Sequence, residues 1–181
     1  LLHRAEKIYQ FIDALISKLY GLKMRQLEDE ITYVFRELSH KRQVARITLD
    51  NDATARLWSR DGQELDFDKS AGESQIFATS LLAALSNISG VDAPLVVDTP
   101  LGRLDSKHRE NILRFWTKDS SRQVILLSQD KEIDAIQYQR LKPSILKSYL
   151  LTHRDMGNGI GQTTADEGYF GEEDGHATRY E

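Results

Sequence analysis

Ser70-Ala71-Gly72-Glu73 puts a hydroxyl and two small residues at the start of a helical stretch. Small residues let backbone N–H groups approach an anion, and the first turn of a helix offers phosphate both donors and favourable potential. Ser70 can add a hydroxyl donor. The same residues also read as a capping box, Ser70 capping and Glu73 three positions on, and alone the stretch favours that plainer reading. Leu95-Val96-Val97-Asp98 is a short apolar run that ends in an acid. A carboxylate at the end of a buried parallel strand can hold a nucleotide-bound Mg²⁺, directly or through water. The plainer alternative is a cap on the turn that Pro100 forces. Leu104-Asp105 follows, and before Ser106 and a helical stretch Asp105 has the place of an N-cap.

The elements that must position these residues follow from periodicity. An apolar helix is expected over about 73–86, a buried strand over 93–98, a helix over 106–117 and a second buried strand over 123–128. A further helix is expected after Asp130 and a late strand over 145–152. Strand, helix, strand, helix is the order of an α/β domain with parallel strands. Upstream, Ala5, Ile8, Ile12, Leu15, Leu19 and Leu22 follow a heptad spacing. Gly21 is expected to interrupt it, with Leu27, Ile31, Val34 and Leu38 resuming in a new phase. A coiled coil and an amphipathic helix packed on a domain fit this spacing equally. Between Ser39 and Arg46 the helix should end. Residues 44–49 and 53–59 then alternate as strands around Asp50-Asn51-Asp52, Asp61-Gly62 makes a second turn, and 64–67 a short strand.

The 181 residues suffice for a domain with a core, and there is no cysteine, which excludes disulfides, thiolate nucleophiles and Cys-ligated zinc. The net charge of −4 is uneven, because residues 155–181 are acidic and glycine-rich. Bulk charge therefore does not point to nucleic acid. His3, His40, His108, His153 and His176 are scattered, without metal-ligand spacing, and read as surface residues. No Gly-x-Ser-x-Gly elbow and no Gly-x-x-x-x-Gly-Lys-Ser/Thr P-loop occurs. No apolar run is long enough to span a bilayer, and the charged opening does not read as a signal peptide. The start on Leu1 rather than Met leads us to expect a piece of a longer protein, and the lack of cysteine fits a cytoplasmic one.

Taken in order, Ser70–Glu73, Leu95–Asp98, Gly102-Arg103-Leu104-Asp105 and Val124–Ser128 with Gln129-Asp130 resemble the head of ABC-type ATPases of the SMC and recombination-repair class. In that class a signature loop, the Walker B strand, a D-loop ending in Leu-Asp and a switch strand come in this sequence. The likeness covers roughly residues 65–135. More narrowly, Ser-Ala-Gly-Glu-Ser-Gln-Ile-Phe-Ala, Val-Val-Asp-Thr-Pro-Leu-Gly-Arg-Leu-Asp-Ser, Val-Ile-Leu-Leu-Ser-Gln-Asp and the late Glu167–Phe170 look like the DndD family. These are the ATPases of bacterial DNA sulfur modification (phosphorothioation).

The resemblance implies an α/β fold, the C-terminal lobe of an SMC/ABC-type P-loop ATPase head, preceded by a coiled-coil-base helix. It implies residues 1–43 as that helical base, 44–154 as the lobe and 155–181 as a partly ordered tail. ATP and Mg²⁺ would be the cofactors, with Mg²⁺ at Asp98 through water. Asp98, Thr99, Asp105 and Gln129 would serve catalysis, and Ser70, Ala71, Gly72 and Glu73 would bind ATP held by a partner head. Implied partners are an N-terminal P-loop lobe of the same protein, a second head as homodimer, double-stranded DNA and other sulfur-modification proteins, with no membrane. Without its own P-loop the isolated chain would bind ATP poorly. Two positions depart from the class. Thr99 stands where a catalytic Glu is usual, and a hydroxyl is no carboxylate base near neutral pH. Gln129 replaces the switch histidine and can orient water but carries no titratable proton. Hydrolysis is therefore expected either to rely on another acid, such as Asp130 or Asp105, or to be slow enough to leave a nucleotide-gated clamp. A head of another repair or restriction complex is the remaining alternative.

Overall fold

The structure, a computed structural model, describes residues 2–39, 43–50, 52–66, 70–91, 93–102, 104–118, 122–129 and 132–170. The chain divides into two compact units, Leu1–Asp134 and Ala135–Glu181. That division falls inside the segment 44–154 expected to form one lobe.

The first unit opens with α1, Leu2–Leu38, a single helix of 37 residues. Gly21 does not interrupt it. One interior glycine costs a helix only about 1 kcal/mol, and the C-terminal part of α1 is anchored by Leu27, Ile31, Val34, Phe35 and Leu38, all buried. The change of phase marks a change of environment instead. Ahead of Gly21, Ile8, Ile12, Leu15 and Leu19 are exposed.

A meander follows, with β1 (Arg46–Leu49), β2 (Ala55–Trp58) and β3 (Glu64–Leu65) antiparallel in that order. Asp50 sets the first turn by accepting from the N–H groups of Asp52 (3.1 Å) and Thr54 (2.9 Å). Ile47 and Leu57 pair across the strands and are buried. Helix α1 supplies the acceptors for the outer edge of β1. Thr32 Oγ1 accepts from Ile47 N at 2.9 Å, and Glu28 Oε1 accepts from Leu49 N at 2.9 Å. The expected strand ends at Leu65, and Phe67 lies outside the described residues.

Next come α2 (Ala71–Ile88), β4 (Leu95–Asp98), α3 (Ser106–Thr117) and β5 (Val124–Leu127). Strands β4 and β5 are parallel, with Asp98 opposite Leu127. On α2 the buried residues Ser80, Ala83 and Ala84 are small, which lets α1 approach closely. Asn111 of α3 donates to the terminal carbonyl of α1, Leu38 O, at 3.1 Å. Ile112 is 0% exposed, so Ile112→Ala should destabilise the protein by about 2–5 kcal/mol. Urea denaturation would check this, and a loss below about 1 kcal/mol would show a site that collapses around the smaller side chain.

In the second unit, α4 (Ala135–Leu141) and a single 3₁₀ turn (Lys142–Ser144) precede an antiparallel hairpin of β6 (Tyr149–Asp155) and β7 (Gly161–Glu167). The late strand therefore starts after Ile145 and runs past Thr152, and β7 occupies what was expected as tail. Gly157, Asn158 and Gly159 take positive φ in the connecting turn, which reverses the chain where the sequence looks only polar. Tyr169 and Phe170 do anchor the end of β7. Tyr169 stacks on Tyr138 at 4.9 Å between ring centroids, and Phe170 meets Tyr138 edge-on at 5.5 Å. Residues 171–181 lie outside the described part.

Candidate active site

Ser70 has extended backbone angles and its Oγ accepts from Glu73 N at 3.2 Å, so it is the N-cap of α2. Ser70 and Ala71 are exposed, Gly72 and Glu73 half-buried. The capping reading is thus seen in the geometry, and it leaves the first turn of α2 open to solvent. Asp105 likewise caps α3. Its Oδ1 accepts from His108 N at 2.9 Å and its Oδ2 lies 2.8 Å from His108 Nδ1. His108 is buried, contrary to the expected surface position, because the cap draws its ring against the helix start.

Asp98 is the last residue of β4 and is exposed. Thr99 follows with φ +51°, the left-handed region that a β-branched residue rarely adopts. Two bonds hold it there. Thr99 N donates to Leu127 O at 2.8 Å, extending the β4–β5 ladder, and its hydroxyl donates to Asp98 Oδ1 at 3.0 Å. The hydroxyl therefore orients the carboxylate. Gln75, in the second turn of α2, reaches the same turn, with Nε2 donating to Pro100 O (3.0 Å) and Thr99 O (3.4 Å). The start of α2 and the end of β4 consequently line one open cleft of about 410 Å³, formed by Ala71, Ser74, Gln75, Thr99 and Gly102.

Among the residues expected to act together, Ala71 and Thr99 line this cleft. Ser70, Gly72 and Glu73 stand at the same helix start, and Asp98 adjoins through Thr99. Gln129 is exposed just past β5, its N–H donating to Glu132 Oε2 at 3.0 Å. Arg103 and Asp130 lie outside the described residues. Gln75 and Glu132 were not singled out from the sequence. Both act across loops, and no spacing rule marks them.

No group of three or more His, Asp or Glu side chains poised for a metal occurs among the described residues. Asp98 does fit one role, because an exposed carboxylate beside a hydroxyl suits a hard cation that keeps several waters and takes further oxygens from phosphate.

No protein-family profile and no curated protein matches the chain. Solved structures do. An SMC ATPase studied for ATP-driven dimerization and DNA-stimulated activation shares 13% identity at a TM-score of 0.58, over 82% of this chain and 88% of that one. The Pyrococcus furiosus Smc head with an extended coiled coil, bound to the C-terminal domain of ScpA, shares 15% at a TM-score of 0.58, over 90% of this chain and 40% of that one. An Smc head bound to the C-terminal winged-helix domain of ScpA shares 13% at 0.57, over 83% and 46%. The chain thus spans less than half the length of the latter two. The chain has a mixed α/β fold similar to that of these SMC head structures.

Proposed function

We propose that this chain is the C-terminal lobe of an ATPase head that pairs with a second copy around ATP and drives a DNA-associated machine. The observation that carries this reading is the link made by Gln75, which ties the start of α2 to the Asp98–Pro100 turn. The helix start that would face the partner head's ATP is thereby fixed against the strand end that would serve this head's own ATP. Two unpartnered surfaces support the missing half. Parallel sheets are normally covered on both faces, yet Leu95 and Val97 are buried while Val96 is 54% and Leu127 44% exposed on the other side. A P-loop lobe fits that open face. The exposed seam Ile8, Ile12, Leu15 and Leu19 fits the return helix of a coiled coil.

In this reading Asp98 would hold the Mg²⁺ of ATP, which would supply positive charge beside the phosphates, and Thr99 fixes the Asp98 carboxylate. Ser70, Ala71, Gly72 and Glu73 present the first turn of α2 to the γ-phosphate of ATP held by the opposite head. Gln129 orients the attacking water, and Asp105 fixes the loop that faces the partner. The finer assignment, DNA phosphorothioation in the manner of the DndD family, rests on the motif likeness alone. So do double-stranded DNA and sulfur-modification proteins as partners and a cytoplasmic setting. For the membrane, no described helix is long and apolar enough to cross one.

A second reading, a nucleotide-gated clamp with little turnover, is favoured by Thr99 and Gln129. Thr99→Glu separates the two. A left-handed φ suits Glu no worse than a β-branched residue, so the turn should tolerate it. Steady-state phosphate release by the intact protein should rise at least about tenfold, towards the ~10²–10⁴ that a positioned base contributes. An unchanged or lower rate from an active parent would assign water activation to another acid. No turnover in the parent, with ATP-dependent pairing intact, would leave the clamp.

A further inference from the structure

Among the described residues Glu132 is the one buried carboxylate, 6% exposed. A carboxylate removed from water needs donors on its oxygens, and backbone N–H groups serve well. Each oxygen of Glu132 takes one, and the two come from different loops. Oε1 accepts from Leu101 N at 3.3 Å, at the start of the loop that leads to Asp105. Oε2 accepts from Gln129 N at 3.0 Å, beyond β5. Glu132 N completes the ring by donating to Gln129 O at 3.0 Å. The same carboxylate lies beside the cleft wall, since a Cβ placed on Gly102 would sit 3.5 Å from Oε1.

We infer that Glu132 is a positioning residue that clamps the backbone at Leu101 to the backbone at Gln129, so that the water-orienting side chain starts from a fixed place. For the meaning of that placement this rests on the ATPase reading above. Leu101 is fully buried, so it gives the clamp a fixed point, and a carboxylate with one oxygen on each backbone N–H holds Gln129 to that point.

The test uses Glu132→Gln and Glu132→Asp in the intact protein. The Gln side chain keeps its shape but offers one acceptor oxygen and a donor amide, so it satisfies only one of the two N–H groups. Amide hydrogen exchange at Leu101 and Gln129 reads the clamp directly. Phosphate release at varied ATP reads its consequence. Glu132→Gln should speed exchange at whichever of the two amides loses its acceptor, and loosening the hold on Gln129 should lower kcat on the order of tenfold with KM nearly unchanged. Glu132→Asp keeps both acceptor oxygens on a shorter arm and should fall between parent and Gln. It decides the matter by the same criteria if the Gln variant does not fold. Faster exchange at neither amide would overturn the clamp. Faster exchange with kcat and KM unchanged would overturn the positioning role. A parent without turnover would count against the ATPase reading, while the exchange result would still decide whether Glu132 joins the two loops.

Discussion

Asp98→Ala should cut ATP turnover by the intact protein by about 10³-fold, the scale at which one preorganised charge partner contributes to a reaction of phosphates. Stability should hardly move. Asp98 is exposed at the strand end, and among the described residues its one side-chain bond is the 3.0 Å contact from the Thr99 hydroxyl. A surface change of this kind stays within about 0.5 kcal/mol. Asp98→Asn sharpens the test. It keeps an oxygen for the Thr99 hydroxyl and so preserves any turn-capping role, but it loses the charge that a cation needs. Both variants should be nearly inactive and fully folded. If Asp98→Asn hydrolyses ATP at the parental rate, Asp98 is a cap for the turn and nothing more.

Ser70 allows a comparable separation. Its Oγ accepts from Glu73 N at 3.2 Å, so Ser70→Ala should cost about 1 kcal/mol of stability. Ser70→Asp retains an N-cap acceptor and adds negative charge where the partner's γ-phosphate would lie. Ser70→Arg adds bulk at the same place. Both charged variants should abolish ATP-dependent pairing of heads while a single head still binds nucleotide, as followed by light scattering and by nucleotide titration. A Ser70→Asp protein that pairs normally would reduce Ser70 to its cap.

The parts of the fold that carried strong local signals were legible. Helix α3 runs over Ser106–Thr117 as expected, because Asp105 ahead of a periodic stretch is a direct start signal. Strands β4 and β5 fall inside the two apolar runs, whose length suits strands rather than helices. Gly21 was misleading because helix continuity depends on packing at the far end of α1 rather than on one residue. Strand β7 was hidden because Gly161–Glu167 has no large apolar residue and is exposed, with no alternation to mark a buried face. In the candidate site, the sequence order of Ser70, Asp98, Asp105 and Gln129 was visible, but not what joins them. Gln75 and Glu132 bridge loops 24 to 31 residues apart, beyond the reach of any periodicity. The left-handed turn at Thr99 ran against residue preference, and strain of that kind escapes sequence rules.

The most direct test is the mass of the intact protein by light scattering, with and without Mg-ATP, alongside phosphate release from the same sample. Expected is a monomer that pairs when Mg-ATP is added and returns to monomer as phosphate appears slowly. A mass that ignores Mg-ATP, together with no phosphate above background, would contradict an ATP-driven head.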